Sequence, residues 1–379
     1  MDKYYVIGTI NTASGAIPVV ASKLTIKDYI GTIKVRWSIG RDNYKVDPGL
    51  YAVGKPNDKS DVLVTANYKL SFDLLRKNIN DLNAWILVLD TKGINVWCAA
   101  GKKTFGTNEL VFRIKETGLD KIVNHRKLIL PQLGAVGISA HKVKEATINP
   151  LNSMVQQNKT PNFNSKNISG EKYELIQNHG FSVIYGPVNA SDIINFIKNG
   201  YKASPEMRRI TFNLWDRAKL IPVDFMYGKY KLLIAMALFF LLAGVTNSGI
   251  LLDAALQKGW VAIVNLFIAY FSGIVLTPLL LPYVPFRMFA FKGLIIGLLA
   301  SMILLFLGEL GSNWLEITSW LLIIPGISSF LAMNFTGSST YTSLSGVKKE
   351  MKIAVPLQIG LGAIGLTLMV LGKFKLFQS

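Results

Sequence analysis

Beyond Lys231 the chain is dominated by long apolar runs. LLIAMALFFLLAGV (232–245), WVAIVNLFIAYFSGIVLTPLLL (260–281), LIIGLLASMILLFL (294–307), WLLIIPGISSFLAMNF (320–335) and IAVPLQIGLGAIGLTLMVLG (353–372) each reach, or extend to, the roughly 20 apolar residues that cross a bilayer. Almost no polar face is left to them, which disfavours a buried bundle in a soluble protein and predicts an all-α domain of five transmembrane helices over 226–379. Ahead of them the pattern shortens. VLVTANY (62–68), AWILVLD (84–90), INVWCAA (94–100), KLILPQL (127–133) and FSVIYG (181–186) read as short buried strands bounded by polar or glycine-containing turns. SFDLLRKNINDL (71–82), NELVFRIKETG (108–118) and ASDIINFIKNG (190–200) suit helices. Strands alternating with helices predict an α/β domain over 1–225 with a parallel, helix-covered sheet. The stretch 145–178, rich in Asn, Lys and Ser, reads as a polar surface insertion.

Charge adds an orientation. The net charge of +18 is concentrated before the apolar runs and in the segments between them. Arg208, Arg209, Arg217, Lys219, Lys229 and Lys231 precede the first run, Arg287 and Lys292 lie between the second and third, and Lys348, Lys349 and Lys352 lie between the fourth and fifth. All three clusters fall on one side, which the positive-inside rule makes cytoplasmic. Only Lys373 and Lys375 run against it. MDKYYVIGTI has no charged-then-apolar signal pattern, so the expectation is a multi-pass protein of the cell inner membrane, with a cytoplasmic N-terminal domain and the C-terminus on the opposite side. No nucleic-acid module is recognisable, and membrane lipid explains the basic charge better.

The chain contains one cysteine, Cys98, in NVWCAAGKKTFGT (95–107). At the end of a strand-like run it stands where ligands bind in parallel sheets. A P-loop is excluded, because that spacing requires Gly at Val96 and Ser or Thr at Lys103. Zinc and iron–sulfur sites ordinarily need several thiolates. His125, His141 and His179 show no spacing that ties them to Cys98. By composition alone an inert buried thiol is the simpler reading, but the neighbours change it. Ala99, Ala100 and Gly101 remove bulk where something large and flat would approach, and Lys102 with the following helix N-terminus favours thiolate. A soft thiolate beneath a platform of small residues suits axial ligation of a planar metal macrocycle.

The segment Asn95–Lys102 resembles the N(V/I)WCAAGK cap-helix motif of the corrinoid protein family of microbial mercury methylation (HgcA). PGLYAVGKPNDKSDVLVTANYKLSFDLLR (48–76), LILPQLGAVG (128–137), YGPVNASDI (185–193) and PEMRR (205–209) resemble the corrinoid domain shared with the large subunit of the corrinoid iron–sulfur protein. FTGSSTYTSLSGVKKEM (335–351) is similar to the segment between that family's last two membrane helices. Two departures stand out: Lys103 occupies a position usually held by Gly, and the polar stretch near 145–178 is longer.

The resemblance implies a Rossmann-like domain carrying a cobamide, a corrinoid of the vitamin B12 type, with Cys98 as lower axial ligand to cobalt. The DxHxxG signature of histidine-ligated modules is missing, since Val123, Ser139 and Gln177 stand two residues before the histidines. Asn95 and Lys102 are expected to hold the cap by hydrogen bonds, while Gly101, Ala99 and Ala100 permit close packing beneath the corrin. Thr65 and Tyr68 are candidates for corrin or nucleotide-tail contacts, Asp73 a weaker one, and Trp97 reads as core.

Three functions follow for testing. The first is a membrane-bound corrinoid-dependent methyltransferase that passes a methyl group from methyl-cobalt to Hg(II). The implied partners are a ferredoxin with two [4Fe-4S] clusters, as electron donor and Hg(II) carrier, and a methylated pterin or its methyltransferase as methyl donor. The second is a corrinoid methyl carrier of one-carbon metabolism with another acceptor. The third is a transporter or scaffold that binds no corrinoid. Lys292 is expected to snorkel to the interface without a transport role.

Overall fold

The computed structural model describes residues 3–148, 180–246, 249–338 and 344–374. Most of the polar insertion expected at 145–178 and part of the 335–351 segment therefore lie outside the described residues. The chain divides into two compact units, residues 1–35 with 40–210 and residues 36–39 with 211–379.

The first unit is built on a seven-stranded sheet in the order β1-β2-β3-β5-β4-β6-β7. Its strands are β1 (Val6–Thr12), β2 (Gly15–Val20), β3 (Gly49–Val53), β4 (Val62–Ala66), β5 (Ala84–Leu89), β6 (Lys127–Leu130) and β7 (Ser182–Tyr185). The expected parallel sheet is present as β5-β4-β6-β7. It is extended into a mixed sheet by β3, antiparallel to β5, and by the β1–β2 hairpin. β4 and β5 are buried along their whole length, because successive side chains feed cores on opposite faces. Val62, Val64, Trp85, Leu87 and Leu89 join one core with helices α3 (Val96–Gly101) and α4 (Thr107–Glu116). Leu63, Ile86 and Val88 join the other with Phe72 and Leu75 of α2 (Lys69–Asn78) and with Phe196 of α7 (Ile193–Lys198). The remaining helices of this unit are α1 (Ile26–Arg36), α5 (Leu119–Ile122) and α6 (Ala140–Ala146).

One expected strand is a helix. INVWCAA folds as the start of α3, because Asn95 turns its side-chain oxygen onto the Cys98 N–H at 2.9 Å and caps the first turn. A short apolar run does not by itself distinguish a buried strand from a buried helix; the cap does.

The second unit carries α8 (Leu214–Ala218), α9 (Ile221–Ala243), α10 (Leu252–Phe271), α11 (Thr277–Leu280), α12 (Phe289–Phe306), α13 (Trp314–Asn334) and α14 (Leu344–Leu371). Among the described residues, five helical stretches are long and apolar enough to cross a membrane: Leu214–Ala243, Leu252–Leu280, Phe289–Phe306, Trp314–Asn334 and Ser345–Leu371. Lys292 does not snorkel as expected. It is buried, and its Nζ donates to the carbonyls of Leu281 at 2.5 Å and Val284 at 2.6 Å, satisfying acceptors left open where α11 ends.

Candidate functional site

A cavity of about 310 Å³ opens at the carboxyl ends of β4, β6 and β7. Thr65 ends the β4 contribution, Leu130 and Pro131 that of β6, and Gly186 to Val188 that of β7. Ser71 and Leu74 of α2 form another wall, and Asn95, Val96 and Trp97 bring the start of α3 to the rim. The lining is mostly apolar with a few polar groups, the composition of sites that hold extended organic cofactors.

Helix α3 is set at this rim by Asn67, which is 2% exposed. Its Oδ1 accepts the backbone N–H of Thr91 at 3.1 Å and of Gly93 at 2.9 Å, and its Nδ2 donates to Asp90 Oδ1 at 3.1 Å. The Thr91 hydroxyl lies 2.7 Å from the Ile94 carbonyl oxygen. The end of β4 thus grips the loop that leads from β5 into α3. The Asn95 cap then fixes the first turn, with Cys98 as its third residue.

Cys98 is a free, half-buried thiol. Ala99 and Ala100 behind it are buried and belong to the core, so they face the domain and not the cleft. Their small size serves an approach from within: a Cβ on Gly137 would collide with the Phe105 carbonyl oxygen and come within 3.0 Å of Ala100 Cα. Gly101 is the opposite case, since a Cβ built there meets nothing within 4 Å. Lys102 ends the helix through its backbone N–H, 3.1 Å from the Cys98 carbonyl, while its side chain is exposed. Lys103 adopts φ +63°, the left-handed conformation that follows many helix ends and favours glycine.

Of the expected site residues, Thr65 and Asn95 line the cavity, Cys98, Ala99, Ala100, Gly101 and Lys102 follow in the chain outside its lining, and Tyr68 and Asp73 are taken up by other contacts. Tyr68 stands at the N-terminus of α2, with its ring edge-on to Tyr44 at 6.5 Å and beneath the Arg41 guanidinium. Asp73 belongs to a buried quartet: Lys69 Nζ sits 2.6 Å from Asp28 and 2.7 Å from Asp73, and Arg76 lies 2.9 Å from Asp28 and 2.8 Å from Asp73. Its charge is consumed in tying α2 to α1. Burial acts to raise the Asp28 carboxyl, but hydrogen bonds from Lys69, the Thr25 N–H and Tyr4 outweigh it and hold Asp28 below the usual carboxylate range.

Trp97, expected in the core, is 37% exposed and lines the cavity. It reaches that position because α3 is a helix, which turns Trp97 outward while Ala99 and Ala100 turn in. Asn67, Ser71 and Leu74 also went unrecognised as contributors, although all three fall in VTANYKLSFDLL.

Residues 19–160 match the family described as CO dehydrogenase/acetyl-CoA synthase delta subunit. The first unit thus contains a stretch similar to this family. Similar proteins include the acetyl-CoA decarbonylase/synthase complex subunit gamma of Methanopyrus kandleri, 33% identical over 109 residues, covering 28% of this chain and 23% of the relative. The Archaeoglobus fulgidus subunit gamma is 31% identical over 109 residues, covering 27% of this chain and 23% of the relative. That of Methanocaldococcus jannaschii is 38% identical over 94 residues, covering 24% and 19%. The chain thus spans less than a quarter of the length of these relatives. The matched stretch contains β4, β5, β6 and α3, so the expected likeness to the large subunit of the corrinoid iron–sulfur protein is borne out for the domain that forms the cleft.

Proposed function

We propose that this chain is a membrane-anchored, corrinoid-dependent methyltransferase whose acceptor is Hg(II), with Cys98 as the lower ligand to cobalt. The observation that carries the reading is that Cys98, a half-buried thiol, directly follows Asn95, Val96 and Trp97, the capped start of α3 that lines an apolar cleft, although Cys98 is not itself one of the lining residues. The residues present suit a cobamide. Thr65, Ser71 and Asn95 supply hydrogen-bonding groups, and Leu74, Trp97 and Pro131 supply apolar surface. A cobamide bound there supplies a cobalt centre able to accept a methyl group and pass it on.

The chain's own residues have defined tasks in this scheme. Asn95 sets the orientation of Cys98 by holding its N–H. Cys98 would offer a soft sulfur donor to the cobalt of a bound cobamide and so would raise the electron density of the metal. Ala99 and Ala100 anchor the helix from behind. With one cysteine in the sequence, no second thiol is available to hold thiophilic Hg(II), so a thiol-bearing partner must deliver it. A ferredoxin with two [4Fe-4S] clusters fits that task and cobalt reduction, and a methylated pterin fits the role of methyl donor.

The membrane helices act as an anchor, with the first unit in the cytoplasm. Lys373, which ran against the charge bias, is ion-paired with Glu316 at 2.6 Å, and both are about nine-tenths buried. Its charge is therefore compensated on the side assigned to the exterior, in keeping with that orientation.

A second reading has its own support. The relatives are named for an acetyl-CoA decarbonylase/synthase complex, which favours a corrinoid methyl carrier of one-carbon metabolism with another acceptor. The deciding experiment measures methylmercury from isotopically labelled Hg(II) in anaerobic cells that express the chain with a two-cluster ferredoxin. Product from wild type and none from Cys98→Ala supports the mercury reading. A normal corrinoid spectrum without product from either directs the function to the carrier.

A further inference from the structure

Helix α1 of the first unit buries a carboxylate and exposes its apolar face. In IKDYIGTIKVR, Ile26, Tyr29, Ile30 and Ile33 recur at spacings of three and four, so they share one face. All four are exposed, Ile26 by 77% and Ile33 by 61%. The opposite face holds Asp28, Gly31 and Val35. Asp28 and Val35 are fully buried, and a Cβ on Gly31 would stand 2.5 Å from the Tyr44 hydroxyl oxygen, so glycine lets that ring approach the helix. An amphipathic helix on a soluble domain ordinarily turns the other way, with its apolar stripe inward.

Asp28 pins this orientation. It accepts hydrogen bonds from the Tyr4 hydroxyl and the Thr25 N–H, each at 2.8 Å, and pairs with Lys69 at 2.6 Å and Arg76 at 2.9 Å. Turning the isoleucines inward would carry the carboxylate out of reach of both cations, which are themselves buried. The borders of the exposed stripe are basic. Lys23 stands just before the helix, and Lys27 and Lys34 lie along it, all three exposed, while the one carboxylate of the helix is the buried Asp28. Trp37, one residue beyond the helix end, is also exposed and is of the residue type enriched at the level of lipid headgroups. The chain passes from α1 directly into residues 36–39, which group with 211–379, the unit of the five membrane-length helices.

We propose that α1 docks flat on the anionic surface of the bilayer that the second unit spans. The stripe of Ile26, Tyr29, Ile30 and Ile33 sinks into the boundary between headgroups and acyl chains, and Lys23, Lys27 and Lys34 meet the phosphates. An apolar face bordered by lysines is the composition of helices that lie in the plane of the interface. Two observations select lipid over a protein partner. The bordering charge is of one sign, complementary to an anionic leaflet, and the chain itself tethers α1 to the membrane unit, which gives the bilayer a high local concentration. Because Asp28 ties α1 to Lys69 and Arg76 of α2, docking of this helix holds the first unit at the membrane surface. The inference rests on the membrane-anchored reading of the second unit and not on the corrinoid chemistry.

The test uses the full chain with Cys98→Ala, so that no native thiol takes a label, and Ile30→Cys to carry a nitroxide. It is reconstituted into lipid nanodiscs of phosphatidylcholine with phosphatidylglycerol, or of phosphatidylcholine alone. Electron paramagnetic resonance then measures access of oxygen, which partitions into hydrocarbon, and of nickel ethylenediaminediacetate, which stays in water. In the anionic discs the label at position 30 should be reached by oxygen and shielded from nickel. A label carried by Val136→Cys, at another exposed position of the same unit, should remain in water. Lys23→Gln and Lys34→Gln should each lower the ratio of docked to undocked label roughly fivefold, with helix content unchanged by circular dichroism, and neutral discs should lower it further. Free access of nickel to position 30 in the anionic discs would overturn the proposal. So would shielding indifferent to lipid charge and to both lysines, which would mean that protein covers the stripe. A chain that does not incorporate into the discs would overturn the anchor reading and the inference together.

Discussion

Asn67, at the end of β4, accepts the backbone N–H of Gly93 at 2.9 Å across the loop that launches α3. This couples the central sheet to the helix that carries Cys98. Removal of the Asn67 side chain in Asn67→Ala leaves the N–H groups of Thr91 and Gly93 without that acceptor, at a cost of about 1–3 kcal/mol. The expected outcome is a lower melting temperature together with weaker cobamide binding, measured by titration of the corrinoid absorption band. Asn67→Asp, which keeps the acceptor but sets a second carboxylate against Asp90 where the amide donates at 3.1 Å, should not recover the binding.

Lys103 tests whether its departure from glycine matters. Its φ of +63° places an L side chain in a strained region, while its side chain is exposed. Lys103→Gly should therefore stabilise the first unit by about 1 kcal/mol, read as a shift in the denaturation midpoint of the full chain in detergent. No change would mean that the turn bears no strain at this position.

Gly101 separates fold from function. It lies at the end of α3 with a φ outside the positive region, and an added Cβ meets open space. Gly101→Ala should leave stability unchanged or raise it by up to about 1 kcal/mol. Gly101→Leu should keep the fold and lose corrinoid binding, measured by equilibrium dialysis. Full binding by the leucine variant would remove Gly101 from the cofactor platform.

The buried quartet predicts an acid limit. Asp28 is held below the usual carboxylate range, so the unfolded chain takes up its proton first. Its contribution is fully present above the unfolded Asp value of about 4 and is lost as pH falls through the folded value. The Asp28 contribution should therefore shrink as pH drops below about 4, while Asp73, which burial raises above the usual carboxylate range, acts with the opposite sign, so the Asp28 share is read as the difference between wild type and the Asp28→Asn variant. Asp28→Asn should be less stable at neutral pH, by about 3–5 kcal/mol because Lys69 and Arg76 lose a partner, and should show a flatter acid slope.

Much of the plan was legible along the chain. The five apolar runs specified membrane-length helices, since a continuous apolar surface is visible without knowledge of neighbours. The strands β4 and β5 were legible because burial on both faces makes them continuously apolar, and β6 and β7 because their short runs are mostly apolar, although β7 is only partly buried. β1 and β2 carry mixed patterns and are not legible from them, whereas β3, GLYAV, is apolar and buried after its first residue but only five residues long.

The candidate site was legible as chemistry and not as shape. One cysteine among small residues, together with the family resemblance of its segment, gives the expectation of a ligand. Whether a carboxylate or a phenol nearby belongs to the site depends on which way a helix turns it. Asp73 faces α1 and is neutralised by two cations, and Tyr68 turns toward Tyr44. Trp97 reaches the cleft because a side-chain cap starts a helix where the apolar pattern alone permits a strand. The sequence by itself determined the two-part architecture and the identity of the lone thiol, because hydropathy and composition are local properties. Only the tertiary structure decided which residues share the cleft, because β4, β6, β7 and α3 are distant in the chain and are brought together by strand pairing and the Asn67 contacts.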